Sequence, residues 1–186
     1  MSVILILPGY GNSGAGHWQT YWEQELPKAN RVQQRDWDRP DRHEWVAALD
    51  AAIRASDEPV ILVAHSLGCP LVAWWNKKHG KDVHAKKVKG ALLVAPPDVE
   101  SENFPKEIVG FSPMPTDTFP FRAVVIASTN DPWCELARAQ TWAAAWGAQF
   151  REVGARGHIN AASELGRWPE GLSCLAELTK DMNHLG

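Results

Sequence analysis

Three residues of this 186-residue chain are of the types that together carry out acyl transfer, and each follows a β-branched, strand-like run. Ser66 lies in Ala64-His65-Ser66-Leu67-Gly68, where the apolar run VILVAH passes directly into the helical pattern LGCPLVAWWNKKHG. A serine at such a junction can occupy a strained turn that aims its hydroxyl away from the sheet, provided the residues two before and two after are small. Gly68 and Ala64 meet that need, although the usual pattern has glycine at both places. Asp131 follows AVVIAS in TNDPWC, and His158 follows QFREV in ARGHIN. A neutral imidazole can take the serine proton, a carboxylate can fix its tautomer and stabilise the imidazolium, and that imidazolium can protonate a leaving group. Each residue also has an ordinary role: serine as a helix N-cap, aspartate before proline as a turn initiator, histidine beside glycine as a loop residue. The order Ser, Asp, His at the carboxyl ends of successive strands favours the chemical role. Asp98 in APPDVE follows the preceding strand and competes with Asp131, which is preferred because NDPW forms a tight turn able to hold a carboxylate.

A second cluster opens the chain. GYGNSG, Gly9 to Gly14, spells G-x-G-x-x-G directly after VILIL and a proline, and Asp36 lies where a dinucleotide fold keeps its ribose-binding acid. Shifted by two residues, GNSGAG fails as a phosphate loop, because His17 and Trp18 stand where Lys and Ser or Thr are needed. Glycines would equally let the main chain approach a developing oxyanion. In an α/β-hydrolase the loop after this strand gives one oxyanion N–H, and the residue after the nucleophile gives the other. That reading makes the backbones of Tyr10 and Leu67 the donors, and it alone also accounts for Ser66, Asp131 and His158.

The elements that must hold these residues alternate. Strand-like runs at VILIL (3–7), RVQQRDW (31–37), VILVAH (60–65), VKGALLVA (88–95), AVVIAS (123–128) and QFREV (149–153) are separated by helical patterns, which predicts a parallel sheet covered on both faces. Asp41 and Glu44 form a capping-box pattern ahead of Trp45, Leu49 and Ile53. Pro70 is tolerable only in the first turn of its helix, and Gly80 and Gly147 end theirs. The polar, proline-broken connection from Pro96 to Phe121 reads as a loop across the substrate side, too broken for a helical cap.

With 45% hydrophobic residues and 22% charged, the chain fits one α/β domain over residues 1–186. A net charge of −3 with no concentrated basic face argues against a nucleic-acid partner, and the lysine-rich stretch 77–89 reads as a solvated connection. The opening apolar run is too short for a signal peptide or membrane span, so a cytoplasmic protein without membrane association is expected. Cys69, Cys134 and Cys174 fit neither a disulfide framework nor a zinc pattern, no His or Cys pair has ligand spacing, and no metal or cofactor is expected. Of ten tryptophans, Trp45, Trp74, Trp142 and Trp146 lie on apolar helix faces, whereas Trp18 and Trp133 are pocket candidates. His17 and His65 read as structural.

LPGYGNSGAGHWQTYWE, AHSLG, STNDPWC and GHINAASELGRWPEG together make the chain resemble the small serine hydrolases related to retinoblastoma-binding protein 9 and their bacterial YdeN-like members, over essentially its whole length. The resemblance implies a compact α/β-hydrolase core with little or no lid, six parallel strands in the order 2-1-3-4-5-6, and Ser66, Asp131 and His158 as the triad. It implies hydrolysis of small carboxylic esters or amides. Two other readings stand beside it: a protein-binding module that keeps the fold without catalysis, and a dinucleotide-binding domain.

Overall fold

Unbroken apolar strands bury both faces, so alternate residues must feed two separate cores. The computed structural model, which describes residues 1–180, is built this way. Strands β1 (Val3–Leu7), β2 (Ala29–Arg31), β3 (Val60–His65), β4 (Val88–Val94), β5 (Arg122–Ala127) and β6 (Gln149–Glu152) pair in parallel in the order β2-β1-β3-β4-β5-β6. From β3, Leu62 and Ala64 enter one core with Trp45, Trp75 and Trp146; Ile61 and Val63 enter the other with Trp18, Trp22 and Trp168. Helices α2 (Arg42–Ala55), α3 (Gly68–His79) and α4 (Leu136–Trp146) cover the first face, and α1 (Trp18–Glu25) and α5 (Pro169–Lys180) the second. Among the described residues no helix is long and apolar enough to cross a membrane.

Local chemistry sets the helix ends. The Asp41 carboxylate accepts from the N–H groups of His43 and Glu44 at 2.9 and 3.2 Å, satisfying donors that the first turn of α2 leaves free. Glu44 pairs with Arg35 at 2.8 Å. Helix α3 admits Pro70 in its first turn, and α4 ends at Gly147, whose φ of 70° suits a residue without a side chain.

Three expectations are corrected. The second strand covers Ala29–Arg31 instead of residues 31–37. It is an edge strand with a single neighbour, and beyond Val32 the chain leaves the sheet for a turn in which Asp36 accepts from the N–H groups of Asp38 and Arg39. Trp45, Trp142 and Trp146 are buried as expected, but Trp74 is only partly so: its indole N–H donates to the Phe111 carbonyl and the Arg42 guanidinium lies 4.1 Å from its ring. The connection from Pro96 to Phe121 is less polar in its packing than in its composition, since Val99, Ile108, Phe111, Met114 and Phe119 are buried against the first core.

A polar lock joins three elements of that face. Asp50 of α2 accepts from Arg54 (2.7 Å), from the Trp75 indole of α3 (3.0 Å) and from His84 (2.6 Å) in the 3-10 turn Val83–Lys87. Burial alone would raise its pKa, but the hydrogen bonds from Arg54, His84 and Trp75 outweigh it and hold the carboxyl at about 2. No ligand spacing was visible in the sequence, yet the fold brings ligand-type atoms of Asp50, His79 and His84 within 4.8 Å of one another. The Asp50 carboxylate there is already engaged by three donors.

Candidate active site

The carboxyl ends of β3, β5 and β6 bring the three candidate residues together. Ser66 follows β3 with φ 52°, a left-handed conformation that costs a non-glycine residue about 1–3 kcal/mol and marks a turn fixed by its surroundings. Its N–H still pairs with the Val94 carbonyl at 2.9 Å, so the turn begins directly after the last ladder bond, and α3 starts two residues later. A Cβ on Gly68 would fall 2.4 Å from the Leu7 carbonyl oxygen, so only glycine lets α3 start this close to the end of β1. Ala64 is wholly buried in the first core, and its methyl group is accommodated.

Ser66 Oγ lies 2.8 Å from His158 Nε2, and His158 Nδ1 lies 2.9 and 3.0 Å from the two carboxylate oxygens of Asp131. A carboxylate only accepts, so Nδ1 carries the proton and Nε2 is free to accept from the serine hydroxyl. The Asp131 side chain is 3% exposed and also accepts from the Trp133 N–H, the turn bond anticipated for NDPW. Asp98 is engaged elsewhere: its carboxylate accepts from the Glu100 N–H and lies 3.5 Å from Arg138 Nε.

The glycines of the first loop divide by function. A Cβ on Gly9 would meet Ser66 Cβ at 2.9 Å and the Leu67 nitrogen at 3.0 Å, so this loop lies directly against the nucleophile turn. Gly11 has φ 75°, whereas Gly14 has open space where helix packing would need glycine in a dinucleotide fold. Asp36 serves its own turn. Among the described residues, neither the Tyr10 nor the Leu67 N–H donates to a protein acceptor, and both residues line the cleft at Ser66.

That cleft has a volume of about 180 Å³; beyond Ser66 and His158 its walls are largely apolar, with Pro97, Phe104, Pro105 and Ile108 from the Pro96–Phe121 connection facing Leu67 and Trp133. Sequence reading missed this wall, whose apolar residues are scattered in a polar segment. The Tyr10 hydroxyl donates to Glu107 at 2.5 Å, tying the glycine loop to the same connection; that hydrogen bond pushes the phenol pKa up. A larger concavity of about 410 Å³ opens beside Arg122, Gln149 and Glu177, but among the described residues no serine, cysteine or histidine lines it.

Of the two pocket candidates, Trp133 lines the cleft, with its ring centroid 6.2 Å from that of His158. Trp18 does not. It is buried between Trp22 and Trp168, and its indole N–H donates to the Ile159 carbonyl at 2.8 Å. The reason is helical phase: His17 caps α1 with its own side chain, which turns the next residue into the second core. His65 also faces that core, away from Ser66, and donates to the His158 carbonyl. All three cysteines are buried and free; burial pushes the Cys69 thiol far up and Cys134 to about 12, so neither offers a thiolate.

Comparison with known proteins bears on the family and the fold. A family model described as serine hydrolase matches residues 4–177. A YdeN-like hydrolase of Pectobacterium atrosepticum is 31% identical, with 97% of this chain and 91% of that one covered and a TM-score of 0.83. The ydeN gene product of B. subtilis is 20% identical, covering 96% and 98%, with a TM-score of 0.73. Esterase 2 of Thermogutta terrifontis, in a form phosphonylated by cyclosarin, is 16% identical, covering 97% and 83%, with a TM-score of 0.71. The chain has no match among curated proteins.

Proposed function

The chain belongs to the serine hydrolase family, and from that premise we propose that it cleaves small carboxylic esters or amides through an acyl-enzyme formed on Ser66. The observation that carries the reading is the unbroken relay from Ser66 Oγ through His158 to Asp131, with the serine in a left-handed turn. His158 Nε2 takes the hydroxyl proton as Oγ attacks the carbonyl carbon, and Asp131 stabilises the resulting imidazolium. The N–H groups of Tyr10 and Leu67 receive the developing oxyanion. The imidazolium then protonates the departing alcohol or amine. Water, activated by the same imidazole, attacks the acyl carbon and restores Ser66.

The size of the cleft supports small substrates. Its volume of about 180 Å³ falls below the roughly 300 Å³ at which pockets for drug-sized ligands begin. Its apolar wall suits a short acyl or aryl group. A protein-binding module would need none of Ser66, Asp131 or His158, and their convergence favours catalysis. A relative of the same fold reacts covalently with an organophosphorus agent, and here a fluorophosphonate probe should add one label per chain, on the peptide containing Ser66. Hydrolysis of p-nitrophenyl acetate should vanish in Ser66→Ala. Labelling elsewhere, or undiminished turnover in that variant, refutes the assignment.

A further inference from the structure

We infer that His65 and Asn130, each one residue before a member of the proposed triad, are positioning residues that hold the backbone of the loop carrying His158, and that His17 sets the tautomer of His65. The inference rests on the catalytic reading above. Its geometry begins with consecutive backbone groups. The Arg156 N–H donates to Ser128 Oγ (2.9 Å), and the Gly157 N–H donates to Asn130 Oδ1 (2.7 Å). The His158 carbonyl accepts from His65 Nε2 (2.8 Å), and the Ile159 carbonyl accepts from the Trp18 indole (2.8 Å). Ser128 and Asn130 are themselves joined, the serine hydroxyl donating to Oδ1 at 2.9 Å. Four successive residues are thus held by side chains from the ends of β3 and β5 and the start of α1. Ile159, directly after the histidine, has φ of 49°, a left-handed conformation that a β-branched residue holds only with such support.

The histidine protons can be assigned one by one. A carbonyl only accepts, so His65 Nε2 carries a hydrogen. Its Nδ1, lying 3.3 Å from His17 Nε2, must accept, so His17 carries its hydrogen on Nε2 as well. His17 Nδ1 is then free to accept from the Gln19 N–H at 3.1 Å, as the N-cap of α1 requires. A proton added to either ring would set N–H against N–H. Burial lowers both groups, His17 to about 3, so both rings stay neutral and the chain keeps one polarity. The hold runs from the first turn of α1 to the carbonyl of the residue that must meet Ser66 and Asp131 at once. Misplacing a reacting group by about 1 Å can cost about 100-fold in rate.

The experiment compares His65→Leu, which removes the donor, with His65→Gln, whose carboxamide N–H can reach the same carbonyl, and with Ser66→Ala as control. In His65→Leu, kcat for p-nitrophenyl acetate should fall about 10- to 100-fold with KM within about twofold, and His65→Gln should recover most of the loss. Thermal unfolding of each variant separates this from a loss of folded protein. A normal kcat in folded His65→Leu, or an equal loss in both variants, overturns the inference. Turnover surviving in Ser66→Ala would overturn the catalytic reading instead. Should His65→Leu fail to fold, ¹⁵N NMR of the wild-type histidines decides: His17 and His65 should both appear as neutral Nε2–H tautomers down to about pH 5. An Nδ1–H tautomer at His65, or its protonation above that pH, removes the hold.

Discussion

Gly9→Ala tests the contact between the glycine loop and the nucleophile turn. The added methyl would lie 2.9 Å from Ser66 Cβ and 3.0 Å from the Leu67 nitrogen, against an ordinary contact of 3.4 Å or more, so loop and turn must part by about 0.5 Å. The proposed oxyanion donors are Tyr10, the next residue in the loop, and Leu67, the next in the turn, so this displacement opens the gap between them. Productive donors lie about 2.7–3.1 Å from the oxyanion, and losing one outright costs about 10²–10³ in kcat. Half an ångström leaves one bond stretched, so kcat should fall about 10- to 100-fold. Overpacking should cost about 1–3 kcal/mol, which for a chain of this size lowers Tm by about 2–4 °C per kcal/mol. Steady-state hydrolysis of p-nitrophenyl acetate and thermal unfolding report the two effects separately. Gly14→Ala, in the same loop with nothing within 4 Å, is the control and should change neither. A folded Gly9→Ala protein with kcat within twofold of wild type would show that the loop does not place the oxyanion donors.

Asp131→Asn should lower kcat by about 10⁴, as loss of the correct tautomer does in serine proteases. Asp98→Asn should leave the rate close to normal, because its carboxylate faces Arg138 and the Glu100 N–H; the opposite pattern transfers the role to Asp98. Short-chain p-nitrophenyl esters should exceed long-chain ones in kcat/KM, and a marked preference for long acyl chains would contradict the small cleft. Asp50 is held at about 2 against an ordinary 3.8, so its stabilisation is complete above the higher value and lost as pH falls toward the lower, a difference of about 2.5 kcal/mol. Urea unfolding should therefore show Asp50→Asn costing about that much at pH 7 and only about a third of it near pH 2.5; an equal cost at both pH values refutes the electrostatic account.

How much of this the sequence disclosed depended on whether the deciding contacts were local. The left-handed turn at Ser66 was legible because VILVAHSLG contains its own determinants: a buried strand, small flanking residues and a helix start. The NDPW turn likewise holds Asp131 with a bond two residues away. The choice between Asp131 and Asp98 was open in the sequence, because what occupies Asp98 includes Arg138, which is 40 residues further on and belongs to α4. Trp18 was misplaced because histidine is an uncommon N-cap, so the phase of α1 could not be read. The second strand was misplaced because an edge strand of three residues has little pattern, and RVQQRDW continues its polar alternation after pairing has ended. The cleft wall stayed hidden because Phe104 and Ile108 acquire their setting only when the connection folds back over the sheet.

The two cores flanking the sheet differ in what they are tied to. Trp18, Ile159 and Trp168 belong to the core under α1 and α5, and Trp18 grips the backbone next to His158. A Cβ on Gly171 of α5 would strike the Trp168 ring at 2.2 Å, so this helix is seated against the same tryptophan group. Redesign for thermal robustness should therefore begin on the face of α2 and α4, where Trp45, Leu49, Trp142 and Trp146 belong to the core that does not contain Ile159. Substitutions beneath α1 and α5 carry their strain to the proposed catalytic base, so on that side of the scaffold gains in melting temperature and retention of turnover should not be selectable independently.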